Sequence, residues 1–441
     1  MIVKFMKNIF VTFTARVFIL LLGIVTSIII ARVLGPEGKG IYTLAILLPT
    51  LLMTFTNLGI GSASVYYIGK KKYSLIEIFG CNIIFSILVS IFVIIVGLVV
   101  IFFFGNKIFP GVVKEYLLLA LCLAPFQIFL TFVVNIFLGL QEFKKYNFIA
   151  LIQHIIFFAL IIIFLLGLQY GIKAVIAAQI LSSALACVAL FFLTKKEAGG
   201  IILYMKKSLF KDFFNYGSKI YLIKIFSFLH LKVDIFMINI LLNPLEVGFY
   251  SIAVGLSDKI WLISRSAATV LFPKVCSETD DKKLKEFTPL VCRNILWITI
   301  VIATSLFFLS SYVIVLFYSE QFNKSILPFQ ILLIGAIAIS GSRILANDLT
   351  ARNRLKENIY ISSFSFILNI ILNIIFIPKF GIIGAAWATA ISYAITFLSR
   401  IIIYCKISGN KIKDIILIQK SDIVLYGKLI SFFWKRLRSV S

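Results

Sequence analysis

At 441 residues, 61% of them hydrophobic and only 14% charged, the chain is too apolar for a soluble globular domain, and apolar runs of about 20 residues recur along it. The net charge of +25 does not signal nucleic-acid binding, because the lysines and arginines sit in short clusters between apolar runs rather than on one face of a domain. Composition thus describes an all-α polytopic membrane protein with no room for a separate soluble domain between Ile9 and Cys405.

In chain order, twelve spans are predicted near residues 9–33, 41–68, 75–104, 115–139, 147–168, 172–194, 216–242, 246–272, 289–318, 326–350, 358–377 and 381–405. The first run meets the second with no small-residue cleavage site, so no removable signal peptide is expected. Residues 195–215 form the longest cytoplasmic connection and read as a linker between two six-span lobes, 1–194 and 216–405. Residues 406–441 read as a basic amphipathic tail suited to an anionic cytoplasmic surface. Six singly scattered cysteines, without CxxC or His/Cys spacing, suggest neither a disulfide nor a metal site.

Alternate connections differ sharply in charge: one set holds 27 lysines and arginines and the other seven, Arg32, Lys39, Lys107, Lys114, Lys173, Lys324 and Lys379. Under the positive-inside rule the rich set is cytoplasmic, which places both termini in the cytoplasm and the seven in outward connections. Those outward connections are short, which argues against a polymerase or ligase with a large external domain.

The chain also repeats itself. Ala31 to Ala45 (ARVLGPEGKGIYTLA) matches Asn239 to Ala253 (NILLNPLEVGFYSIA) without a gap at an offset of 208, pairing Pro36 with Pro244, Gly40 with Gly248 and Tyr42 with Tyr250. Gly171 to Ser182 matches Gly381 to Ser392 at an offset of 210. Because each half has six spans, both enter from the same side and the symmetry axis is expected along the membrane normal.

Nine cations fall in or near spans: Arg16, Lys219, Lys224, Lys232, Lys259, Arg265, Arg293, Arg343 and Arg400. Against them stand Asp234, Asp258 and Asp348. An intramembrane charge costs about 2.5–3.5 kcal/mol on insertion scales, so each is expected to face a cavity or a partner. Lys219, Arg293 and Arg400 lie near cytoplasmic span ends, where snorkelling is expected. The 208 offset sets Arg16 against Lys224 and Asn57 against Arg265, and these four, with Arg343, are the expected substrate-binding residues. His230, one helical turn from Asp234, together with Asp258 and Asp348, forms the expected set for ion coupling or charge compensation. No catalytic constellation such as DxD or HExxH is present, so an enzyme is not expected.

The segments ARVLGPEGKGIYTLA, DIFMINILLNPLEVGFYSIA and PKFGIIGAAWATAISY resemble the oligosaccharide flippase group, the polysaccharide-export branch of the multidrug/oligosaccharidyl-lipid/polysaccharide (MOP) exporter superfamily. The resemblance implies a MATE-like pair of six-helix bundles around a cationic cavity that opens alternately to either face, lined chiefly by spans one, two, seven and eight. It also implies a substrate: an undecaprenyl-pyrophosphate-linked oligosaccharide repeat unit moved to the outer leaflet of a bacterial cytoplasmic membrane for surface polysaccharide such as O-antigen or capsule. Related lipid-precursor flippases carry cavity arginines in spans one and eight, where Arg16 and Arg265 stand here. Expected partners are the lipid-linked oligosaccharide, membrane lipids and other polysaccharide-assembly proteins, with no cofactor beyond coupling to protons, sodium ions or the membrane potential. A drug/cation antiporter of the same architecture, drawing on Asp234 and Asp258, and a membrane enzyme of glycan assembly are the rival readings.

Overall fold

The computed structural model describes residues 2–203, 206–277, 281–352, 354–419 and 422, and the described residues are helical almost throughout. The helices are α1 (Ile2–Thr56), α2 (Ile60–Gly69), α3 (Leu75–Val99), α4 (Gly105–Ile108), α5 (Lys114–Leu121), α6 (Ala124–Gly139), α7 (Phe143–Ile161) and α8 (Gly171–Ala198). The second half continues with α9 (Lys207–Leu241), α10 (Pro244–Ser277), α11 (Asp281–Tyr318), α12 (Ile326–Ala351), α13 (Leu355–Ser408) and α14 (Ile412–Ile416). Each predicted span falls on one or more of these. Among the described residues, eight helices are long and apolar enough to cross a membrane. Missing from the eight are α9 and α10, the helices that carry Lys224, Lys232, Asp234, Asp258, Lys259 and Arg265.

Exposed apolar side chains such as Phe103 and Phe308, 78% and 80% accessible, face what is hydrocarbon in a multi-pass protein. Straight helices the length of α1 or α13 would run about 80 Å, against a hydrocarbon core of about 30 Å, so each has to break into two crossings. The breaks sit at glycines with left-handed backbone, Gly35 (φ 67°) and Gly381 (φ 61°), a conformation that side chains with a Cβ rarely adopt. Gly381 is the repeat partner of Gly171, which opens α8 with the same φ of 61°. The repeat thus preserves a backbone geometry.

At the other repeated corner the two copies start their helices differently. The first bends at Gly35 ahead of Pro36, while in the second the Asn243 side chain accepts a hydrogen bond from the Glu246 amide at 3.0 Å ahead of α10. Elsewhere a capping box starts α3: Ser74 N donates to Glu77 Oε2 at 3.0 Å, and Glu77 N to Ser74 Oγ.

By their internal contacts the residues form two units, Met1–Ser251 with Val315–Phe322, and Ile252–Ile314 with Asn323–Ser441. In the first, Ile30, Ile161, Leu165, Ala174, Val175 and Ala178 bring α1, α7 and α8 onto one core. In the second, Leu271, Cys292, Leu296, Ile344, Leu345 and Tyr404 join α10, α11, α12 and α13.

The first unit also holds a reciprocal close approach. A Cβ on Gly40 would collide with the Pro244 carbonyl, and a Cβ on Gly248 with the Pro36 carbonyl, so the two copies of the Pro-x-x-x-Gly corner pack backbone against backbone. Gly59 and Gly217 form a second such contact between α2 and α9. Replacing Gly248 with valine is expected to lower stability at the upper end of the about 1–3 kcal/mol of overpacking, and Gly255→Ala, with open space around its Cα, to leave it unchanged. Thermal unfolding of the detergent-purified variants followed by size-exclusion chromatography checks both.

Candidate functional site

The in-span cations separate into those held in ion pairs with a carboxylate and those gathered around an aromatic ring. Arg293 belongs to the first class. It is buried, and its Nε and Nη2 meet Asp422 Oδ2 and Oδ1 at 2.5 and 2.8 Å, while Nη1 donates to the Asp414 carbonyl at 3.1 Å. The expected snorkelling is therefore not what it does: Asp422, in the tail, supplies the counter-charge. Trp297 Nε1 adds a hydrogen bond to the Ile416 carbonyl at 3.0 Å. Tail residues 423–441, with Lys428, Lys435, Arg436 and Arg438, lie outside the described residues.

Asp348 is likewise held structurally, accepting from Thr288 Oγ1 at 2.5 Å and pairing with Arg352 Nε at 2.6 Å. Its partner is one helical turn away, where i,i+4 side chains meet, rather than Arg343, five residues back. Arg32, three residues ahead of the break in α1, donates to the carbonyls of Leu316 and Phe317, satisfying the last turn of α11.

The second class gathers in the second unit around Trp261 of α10. Arg343, on α12, places its guanidinium 4.2 Å from the centroid of the Trp261 ring, and exposed Arg265, one turn further along α10, lies 5.8 Å from the same ring. Asp258, Arg265 and Tyr393 are near enough to act electrostatically on Arg343, and Arg343 on Arg400. Arg400, also expected to snorkel, is 8% accessible and donates to Ser342 Oγ at 2.7 Å and Ser362 Oγ at 3.1 Å.

Three donors of this group are buried with no hydrogen-bond partner among the described residues: Arg343 Nη1, Trp261 Nε1 and Arg400 Nε. A buried orphan donor costs about 1–3 kcal/mol, and neither guanidinium nor indole can accept a hydrogen bond. These three donors suit a hydrogen-bond acceptor, with Asp258 the acidic group nearby.

In the first unit, Asn57 lies between α1 and α2 and lines a cavity of about 160 Å3 with Thr50, Thr54, Gln127 and Thr131. Arg16 is exposed on α1. The side chain of Lys224 lies outside the described residues. His230 and Asp234 are both buried on α9, and Tyr250 donates to Asp234 Oδ2 at 2.9 Å. That tyrosine is the second copy of the repeat's Tyr42, whose hydroxyl donates to Gln179 Oε1 at 2.7 Å. Of the expected substrate residues, then, Arg265 and Arg343 stand together. Trp261 and Arg400 complete their group and were missed, because a tryptophan in an apolar run carries no polar signal and Arg400 sits where snorkelling is the ordinary account.

The sequence model of a family described as polysaccharide biosynthesis protein matches residues 5–279. A probable low-salt glycan biosynthesis flippase of Haloferax volcanii is 27% identical over 197 residues, which cover 43% of this chain and 42% of that protein. An uncharacterized membrane protein of Methanocaldococcus jannaschii is 24% identical over 378 residues, 80% of this chain and 74% of that one. The matches thus span about two fifths of the first two curated relatives, at 42% and 39% of their length.

Among solved structures, the lipid II flippase MurJ in an inward closed conformation superposes with a TM-score of 0.76 at 21% identity, covering 91% of this chain and 88% of that one. An inward-facing multidrug resistance MATE transporter of the MOP superfamily gives 0.72 at 15% identity, covering 88% and 94%. The fold is the MurJ/MATE fold that the resemblance implied. Removing one partner of the buried Arg293 pair, by Arg293→Met, is expected to destabilise the protein by about 3–5 kcal/mol. Thermal melts of this variant beside Lys379→Met, an exposed charge expected to be neutral, check the distinction.

Proposed function

The chain belongs to the polysaccharide biosynthesis protein family, and on that premise we propose that it is a flippase for a polyprenyl-pyrophosphate-linked oligosaccharide repeat unit. In a bacterial cytoplasmic membrane the carrier is undecaprenyl and the product a surface polysaccharide such as O-antigen or capsule. The observation that carries the reading is the cationic group of Arg265, Arg343 and Arg400 around Trp261, in which Arg343 Nη1, Trp261 Nε1 and Arg400 Nε are buried donors with no acceptor among the described residues. A pyrophosphate cannot cross hydrocarbon alone, but guanidinium and indole N–H groups can replace its water while the polyprenyl tail stays in lipid.

Residues 1–194 and 216–405 act in this proposal as two lobes joined by 195–215, with both termini and the tail 406–441 in the cytoplasm. Alternating access moves the head group, and Arg16, Asn57 and Lys224 extend the anion path. An inside-negative potential favours outward movement of each negative charge by about 2.3 kcal/mol per 100 mV crossed. His230, Asp234 and Asp258 are the groups through which protons or sodium ions would add coupling. No chemical step is assigned to the protein, and other polysaccharide-assembly proteins supply its substrate and take its product.

In vesicles loaded with a fluorescent polyprenyl-pyrophosphate oligosaccharide, Arg265→Ala and Arg343→Ala are expected to slow translocation about 10- to 100-fold, the equivalent of one charge-assisted hydrogen bond each. Wild-type rates in the double variant, at equal protein level, would overturn the site. Movement of a cationic dye with no movement of the lipid-linked glycan would instead favour the antiporter.

A further inference from the structure

The first unit contains a second and larger cavity that the flippase reading leaves without a role. It measures about 370 Å3 and is lined by α1, α6, α7 and α8. That volume stands at the lower end of the roughly 300–1,000 Å3 range of small-molecule pockets. At about 30 Å3 for each water it has room for on the order of a dozen, more than a few polar groups need to be satisfied. Gly23, in its wall, helps to keep the space open. Glycine costs a helix interior about 1 kcal/mol against alanine, and in a membrane a close helix contact ordinarily offsets that cost. A Cβ on Gly23 would meet nothing within 4 Å, so this glycine serves no such contact.

The contacts already made fix what the wall still offers. Lys39, assigned to an outward connection by charge, is in fact buried within α1 at 9% accessibility, and its Nζ stands over the Tyr42 ring, 5.4 Å from the centroid. The Tyr42 hydroxyl donates to Gln179 Oε1 at 2.7 Å, which leaves the Gln179 amide nitrogen as a donor. Gln127 and Gln153 both donate through Nε2 to Ser183 Oγ, at 2.9 and 3.1 Å, which leaves their carbonyl oxygens as acceptors. His154 Nδ1 lies 2.8 Å from the Ala150 carbonyl and so acts as the donor there, leaving Nε2 of the neutral ring as a third acceptor.

The groups left over are neutral: three acceptors and one amide donor, beside the aromatic face of Phe157. None of the described lining residues is a carboxylate. A cation would therefore find no counter-charge and would share the cavity with the Lys39 ammonium. An inorganic anion would meet mostly oxygen and nitrogen lone pairs, and an apolar molecule would leave all four polar groups without a partner. An uncharged ring carrying several hydroxyls uses the whole wall. Its hydroxyls donate to the three acceptors and accept from the amide, while its C–H face packs on Phe157.

We propose that this cavity binds one neutral pyranose, with Gln127, Gln153, His154 and Gln179 reading its hydroxyls and Gly23 leaving the room for its ring. That the ring arrives as part of a lipid-linked glycan rests on the flippase reading; the binding chemistry does not.

The test uses the full chain in lipid nanodiscs, titrated with glucose, galactose, mannose and N-acetylglucosamine and followed by saturation-transfer difference NMR. At least one of the four is expected to bind saturably, and neither choline nor phosphate to displace it. Gly23→Leu, whose side chain enters open space and so fills the cavity without a clash, is expected to weaken that binding at least about tenfold, the equivalent of about 1.4 kcal/mol. Gln153→Met removes one acceptor while Gln127 still donates to Ser183, and is expected to weaken binding about 3- to 10-fold, as for one neutral hydrogen bond.

No saturable binding of any of the four sugars, displacement by choline or phosphate, or undiminished binding in a monodisperse Gly23→Leu protein would each overturn the proposal. Vesicle assays with a neutral lipid-linked glycan separate this outcome from that of the flippase reading. Sugar binding that Gly23→Leu removes, without movement of the glycan, upholds the cavity and sinks the flippase, whereas glycan movement without sugar binding does the reverse.

Discussion

The contact between the two Pro-x-x-x-Gly corners constrains much of the rest. Gly40 lies on the Pro244 carbonyl and Gly248 on the Pro36 carbonyl, and only glycine lets two backbones come so close. In a membrane, where lipid is as apolar as leucine, helices gain little from hydrophobic burial and depend on such close packing. The corner also carries hydrogen-bonding side chains beside its glycines. Two residues past Gly40, Tyr42 reaches Gln179; two residues past Gly248, Tyr250 reaches Asp234. One steric fit therefore positions two tyrosine hydroxyls.

Charge inside the apolar medium is sorted by partner. Arg293 and Asp348 are consumed by structural pairs, and Arg32 by the end of α11. A further group stands around one tryptophan ring: Arg343 and Arg265 over Trp261, with Arg400 held by two serines.

Much of the fold was legible because its causes are local. Apolar runs have the length that hydrocarbon demands, and glycines that need left-handed backbone, Gly171 and Gly381, repeat at a fixed offset. The charged residues were legible as present in the spans but not as paired. Asp422 lies 129 residues from Arg293, and the choice of Arg352 over Arg343 as the partner of Asp348 depends on which helix face each occupies.

Sequence by itself determined the medium, the repeat, the places where helices break and the excess of cations within the spans, since these depend on composition and on backbone conformations that single residues dictate. Tertiary structure alone decided which cations pair with a carboxylate and which gather around an aromatic ring. It buried Lys39 within α1 rather than in a connection and made Trp261 the platform for two arginines. The physical reason is that burial and hydrogen bonding are properties of neighbours, and in a helical membrane protein those neighbours are brought together by packing across helices far apart in the chain.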